Sequence, residues 1–179
     1  MAKARGSSGK DTRIVVGWRE WIALETLRLP AIKAKMDTGA RTSALHAFYV
    51  EPVRVGGRDR VRFGIHPLQG RTDVEVHCVA DTVDYRQVTD SGGHREMRWV
   101  IAAPIRLGDL SWPVEITLTN RDDMLFRMLV GRTAMGRRVI VDPARSHVLG
   151  QPERGVYARV TRGPGKRKPS KKPSTGRAR

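Results

Sequence analysis

The triplet Asp37, Thr38, Gly39 closes an alternating run in which Ile32, Ala34 and Met36 share one face. A carboxylate at the rim of an apolar core is costly unless it is hydrogen-bonded or put to use. Two readings suit it. Asp37 can accept turn amides, with Gly39 as the left-handed residue of the turn, or it can be an acid–base group that moves protons at a bond under attack.

A later segment bears on the choice. "MLVGRTAMG", residues 128–136, sets the apolar Leu129 and Val130 before Gly131 and Arg132, and it leads into the one plausible helix, "GRTAMGRR". An Asp-Thr-Gly-Ala loop followed downstream by apolar, apolar, Gly, Arg resembles the retropepsin-like aspartic peptidases. In those proteins the second segment threads beneath the catalytic loop, and the close approach of two backbones calls for a glycine. "VVGWREWIALETL", "AKMDTGARTSALHA" and "MLVGRTAMGRRVIVDP" are similar in order and spacing to a bacterial family of RimB-type, or RimK-associated, retropepsin-like proteins. The likeness covers residues 14–150.

The resemblance implies an all-β, retropepsin-like closed barrel with one short helix near the C-terminal end of the core. It also implies catalysis by Asp37, Thr38 and Gly39, with Leu129, Val130, Gly131 and Arg132 supporting the catalytic loop. Aspartic peptidases use two carboxylates about 3 Å apart that share one proton. One takes a proton from the attacking water while the other donates to the scissile carbonyl oxygen. The chain has a single Asp-Thr-Gly, so the second acid must come from another copy, and a two-fold homodimer with Asp37 at the axis is expected. Thr38 is then expected to tie the paired loops together and the Gly39 amide to orient the carboxylate.

Expected substrate contacts surround this loop. Ala40 offers the carboxylate no hydroxyl, which favours work near neutral pH. Arg41 either reads an acidic group, for which a guanidinium fork is suited, or faces solvent. "VDYRQVTDSGGHREMRWV", residues 83–100, has the form of a glycine-tipped flap and equally of an ordinary hairpin. As a flap it brings Arg86, Gly92 and Gly93 to the substrate, with His94, Arg95 and Arg98 adding charge. RimB-type proteins are associated with a ligase that adds glutamates to a ribosomal protein. The resemblance therefore implies a glutamate-rich peptide tail as substrate.

The family is also known by an inherited name, ATP-dependent zinc protease, and neither half of that name matches a motif here. In "GRTAMGRR" two arginines replace the Lys and the hydroxyl of a P-loop, no His-Glu-x-x-His occurs, and His46, His66, His77, His94 and His147 lack metal-ligand spacing. No cofactor and no metal are expected.

The elements that must position these residues are short strands. "RIVVGW", "AIKAKM", "ALHAFYV", "RVRFGI", "DVEVHCV", "MRWVIAAPIRL", "PVEITLT", "MLVG" and "RVIVDP" are rich in Val and Ile, and Gly, Pro, Asp or Asn bound them. That pattern predicts an all-β sandwich or barrel. Cys78, beside Val74 and Val76 on one face of its run, is expected to be a buried, inert thiol. Residues 13–152 form the predicted domain. Residues 1–12 and 153–179 lack apolar pattern and are expected to be disordered basic tails.

Charge separates the parts. The chain carries 34 Lys and Arg against 18 Asp and Glu, a net +16; residues 161–179 contribute +8 and residues 1–13 contribute +3, leaving +5 for the middle. With no apolar run of membrane-spanning length and no secretory h-region after "MAKARGSSGKDTR", a soluble cytoplasmic protein is expected. A different class of function also suits the charge: a non-catalytic ribosome- or RNA-binding protein whose tails contact phosphates. A pseudo-peptidase that only binds is a third reading.

Overall fold

The computed structural model describes residues 13–89, 92–120 and 125–158. The expected tails, residues 1–12 and 159–179, lie outside the described residues, as does Ser91 of the expected flap tip. Of residues 153–158, counted with the tail above, residues 154–158 form turns instead, and Tyr157 is buried with its hydroxyl donating to the Ala31 carbonyl.

The fold is all-β, with eleven described strands: β1 (Ile14–Gly17), β2 (Arg19–Leu24), β3 (Leu29–Met36), β4 (Ser43–His46), β5 (Tyr49–Val55), β6 (Arg58–Ile65), β7 (Val76–Thr89), β8 (Arg95–Leu107), β9 (Leu110–Thr119), β10 (Met128–Val130) and β11 (Val139–Asp142). One short helix, α1 (Arg132–Met135), stands where "GRTAMGRR" predicts it. β1 and β11 pair in parallel, and the rest form a sheet in the order β2-β3-β10-β4-β9-β8-β7-β6-β5. A single bridge, Ala23 with Arg106, returns β8 to β2. Six strands thus make a circuit closed at one seam by one residue pair, while β7, β6 and β5 continue outward as an open flank.

Alternation explains the packing. On β3, Ile32, Ala34 and Met36 are buried while Lys33 and Lys35 are half-buried on the other face, the period-2 pattern of a strand with one face in a core. Phe63, Ile101, Ile105, Ile116, Leu45 and Met128 fill the same core. β5 and β6 turn through Gly56 and Gly57, both at positive φ (59° and 78°), as a two-residue hairpin loop requires.

β2 is a strand that alternation conceals, because Glu20 occupies an inward slot. It is fully buried. Its carboxylate accepts from the Gly17 amide at 2.7 Å, Val148 at 2.8 Å and Leu149 at 3.3 Å. Backbone amides thus meet the cost of burying it and pin the 145–150 segment to β2.

Candidate active site

β3 delivers Asp37 to the end of the sheet, and β10 runs beside β3 in parallel, with Val130 opposite Met36 and Leu129 opposite Lys35. β10 also pairs antiparallel with β4, so it is inserted between the strands on either side of the Asp37 loop. The Asp37 amide donates to the Val130 carbonyl at 2.9 Å. Gly131 follows at the crossing. A Cβ there would lie 2.5 Å from the Thr42 carbonyl carbon and 2.8 Å from the Arg41 oxygen, so the expected close approach of backbones exists at that residue.

α1 then returns support to the loop. The amides of Arg132 and Thr133 donate to the carbonyls of Ala40 and Arg41 at 2.9 and 3.0 Å. The Arg132 guanidinium donates to Thr38 and Gly39 carbonyls at 2.9 and 2.7 Å. Ser43 Oγ accepts from the Gly131 amide. Leu129, Val130, Gly131 and Arg132 therefore all contact or frame the Asp37 loop.

The carboxylate itself is oriented asymmetrically. Oδ1 accepts from the Gly39 and Ala40 amides at 3.0 and 3.1 Å; among the described residues no backbone donor meets Oδ2, and Lys35 Nζ stands 3.9 Å from it. Gly39 orients Asp37 as expected, but it is not in the left-handed region that the turn reading calls for. Its lack of a side chain has another use, since a Cβ would come within 3.3 Å of Oδ1. Thr38 is exposed.

Asp37 opens onto a cavity of about 1020 Å³. Gly39, Ala40, Arg41, Leu129 and Thr133 surround the acid, while Arg86, Val88 and Arg98 of β7 and β8 and Glu115 of β9 form the far side. The glycine-tipped hairpin thus reaches the cavity by its arms. Gly92 and Gly93 form the tip, where Gly93 has φ 84°, and neither is among the residues lining the cavity.

Two of the expected substrate-reading arginines differ in state. Arg41 is exposed at the cavity edge, with no described carboxylate at ion-pair distance. Arg86, in contrast, is already engaged: its guanidinium donates to Glu115 at 2.5 Å and to Asp84 at 3.2 Å. Arg98, directly opposite Arg86 in the ladder, is 7% exposed and donates to Glu96 at 2.8 Å. Sequence inspection missed Lys35 and Glu115 as site residues. Lys35 was legible in principle, since it shares the face of Asp37 two residues away; Glu115 comes from a strand whose neighbours sequence does not reveal.

Among the described residues no three His, Cys, Asp or Glu side chains group so as to hold a metal ion. Cys78 is buried, its thiol donates to the Leu27 carbonyl, and burial pushes its pKa up to about 12. No helix among the described residues is long and apolar enough to cross a membrane.

Residues 15–152 match the family described as "Retropepsin-like aspartic endopeptidase RimB". The chain belongs to this RimB-like family. Its relatives include proteins of Shewanella pealeana (45% identical over 79% of this chain) and Parasynechococcus marenigrum (47% over 77%), each named "Probable alpha-L-glutamate ligase". The chain spans only 31% and 30% of those two proteins. A Legionella pneumophila crystal structure of unknown function is similar over 75% of this chain and 97% of its own, with 27% identity and a TM-score of 0.63. In this RimB-like chain the family match begins in β1 and ends just past the segment that Glu20 anchors, so it takes in Asp37, the β10 crossing and α1.

Proposed function

We propose that this RimB-like protein is an aspartic endopeptidase of acidic peptides, active in the cytoplasm as a homodimer whose two Asp37 carboxylates share one proton. The observation that carries the reading is the posture of Asp37. One oxygen is fixed by two amides while the other is left open beside a cavity large enough for a peptide. In the dimer the open oxygens of the two copies face a water between them; one carboxylate accepts its proton as it attacks, and the other protonates the carbonyl oxygen. The Arg132 clamp on Thr38 and Gly39 keeps the loop from yielding while the proton moves.

Two features support an acidic substrate. Arg41 stands exposed at the cavity edge with no described carboxylate at ion-pair distance, where it can meet an acidic side chain. The relatives that contain a similar segment are named probable α-L-glutamate ligases, which places such a segment in one chain with glutamate chemistry. Glutamate-rich tails, including that of a ribosomal protein, are the substrates this suggests. The basic C-terminal tail is a tether to ribosomes or RNA in the same picture.

The test is hydrolysis of a glutamate-rich peptide by metal-free protein, with light scattering alongside. The native protein should cleave and should have the mass of a dimer at the working concentration; Asp37→Asn should lose cleavage while still binding peptide. Full activity of Asp37→Asn, or activity in a strict monomer, ends the dyad mechanism.

A further inference from the structure

The cavity floor does not stop at Asp37. One register row crosses five strands on the same face: Arg19 of β2 is opposite Lys35 of β3, Lys35 opposite Leu129 of β10, Leu129 opposite Ala44 of β4, and Ala44 opposite Thr117 of β9. Leu129, Ala44 and Thr117 line the cavity. Lys35 and Arg19 continue the same surface past Asp37. In the next row Trp21 is opposite Lys33, and half-buried Arg127 immediately precedes β10, which pairs with β3 from Met128 onward.

This continuation is basic, and its charge is not balanced locally. Lys35 has Asp37 at 3.9 Å, whereas among the described residues no carboxylate lies at ion-pair distance from Arg19, Lys33 or Arg127. Glu20, the nearest acid in sequence, points into the core with its oxygens taken by amides. The Nε atoms of Arg19 and Arg127 and Nδ1 of His147 are buried without a hydrogen-bond partner, an unusual and costly state for polar groups. His147 reports the resulting field: burial first, then Arg19 and Lys33, hold its pKa below the ordinary value.

We propose that this face is an extended subsite that binds an acidic peptide, running along β3 from Asp37 over Lys35 toward Lys33 with Arg19 at its flank. The proposal rests on the peptidase reading for the identity of the bound chain. Spacing supports it. Lys33, Lys35 and Asp37 are two residues apart on one strand, a repeat of about 6.6 Å, and an extended peptide presents same-side carboxylates at the same period. The aromatic groups argue against single-stranded RNA, which needs open rings for its bases. Here the rings are occupied: Lys33 sits 5.2 Å from the Trp21 centroid, where His147 also stacks, and Arg19 sits 4.7 Å from the Trp18 centroid, with Phe126 edge-on at 5.6 Å. They serve to hold the cations in place.

The experiment uses the full chain carrying Asp37→Asn, so that peptide is bound and not consumed. Anisotropy of a labelled hexaglutamate and of a labelled oligouridylate is read against the same protein with Arg19→Glu and Lys33→Glu, and against Arg19→Lys with Lys33→Arg. Charge reversal should weaken the peptide by roughly tenfold or more and leave RNA within about twofold, while the conservative pair stays near the parent. Unchanged peptide affinity, or RNA falling by the same factor as peptide, overturns the proposal. Should the reversal melt early, Lys33→Gln alone must still weaken peptide and spare RNA. With Asp37 restored, cleavage with unchanged KM in the reversal defeats this subsite and leaves the peptidase standing. Face-dependent binding without any cleavage does the opposite.

Discussion

Two sets of arginines and lysines border Asp37, and they are held in opposite ways. On the hairpin side, Arg86 is matched by Glu115 and Asp84, and Arg98 by Glu96. On the β2–β3 side, Arg19, Lys33 and Arg127 lean on tryptophans or lie with buried Nε groups unpartnered. Arg86 and Arg98 stand directly opposite each other in an antiparallel ladder, where like charges repel, so the acids there are needed to hold the hairpin together. Arg19 likewise stands opposite Lys35 in the antiparallel β2–β3 ladder, yet among the described residues no carboxylate comes within ion-pair distance of Arg19, Lys33 or Arg127. Net positive charge therefore says little about where an anion binds; the difference lies in which cations the fold has already neutralised.

The crossing that supports both sides is the most sensitive point in the molecule. Gly131→Ala pushes a Cβ into the backbone of Thr42 and Arg41, and a urea titration should record a loss of about 3 kcal/mol. A loss under about 1 kcal/mol would mean that the loop and β10 can separate freely. Arg132→Met comes next. It removes the donors to the Thr38 and Gly39 carbonyls, so stability should fall by about 2 kcal/mol and turnover should drop with KM little changed, Arg132→Lys recovering part of both.

A smaller effect of opposite sign sharpens the contrast. Glu115→Gln releases Arg86 from its closest acid, so acidic-peptide binding in the Asp37→Asn background should tighten by roughly threefold, whereas Arg19→Gln should weaken it. If both changes act in one direction, the two sets are not distinguished by neutralisation. The mildest probe is pH. Because the folded pKa of His147 is depressed, the unfolded chain takes up its proton first as pH falls below about 6.5. The contribution of His147 is therefore fully present above that range and lost as pH drops through the folded value. His147→Asn, which tolerates the residue's left-handed φ of 54°, should flatten the fall in melting temperature between pH 7 and 5.

Much of the fold was readable because its signals are local. Alternation at Ile32, Ala34 and Met36 marks β3 without reference to any other strand, and Gly56-Gly57 marks its hairpin through backbone conformation alone. β2 was hidden because Glu20 breaks the alternation, and nothing nearby in the chain announces that amides of residues 148 and 149 will receive its carboxylate. Tyr157 was assigned to a tail for the same reason: one aromatic in a polar stretch has no period, and its place beside Ala31 is a long-range contact.

The all-β core and the place of Asp37 at the end of β3 follow from residue type and period along one stretch of chain, whereas the pairing of the Gly131 segment with the Asp37 loop came from the resemblance to retropepsin-like proteins. That Glu115 claims Arg86, and that His147 meets the Trp21 ring beside Lys33 and within the field of Arg19, are matters of tertiary contact. A period of two tells which side of its own strand a residue occupies. It does not tell which strand lies beside it, and charge balance in a site is settled between strands.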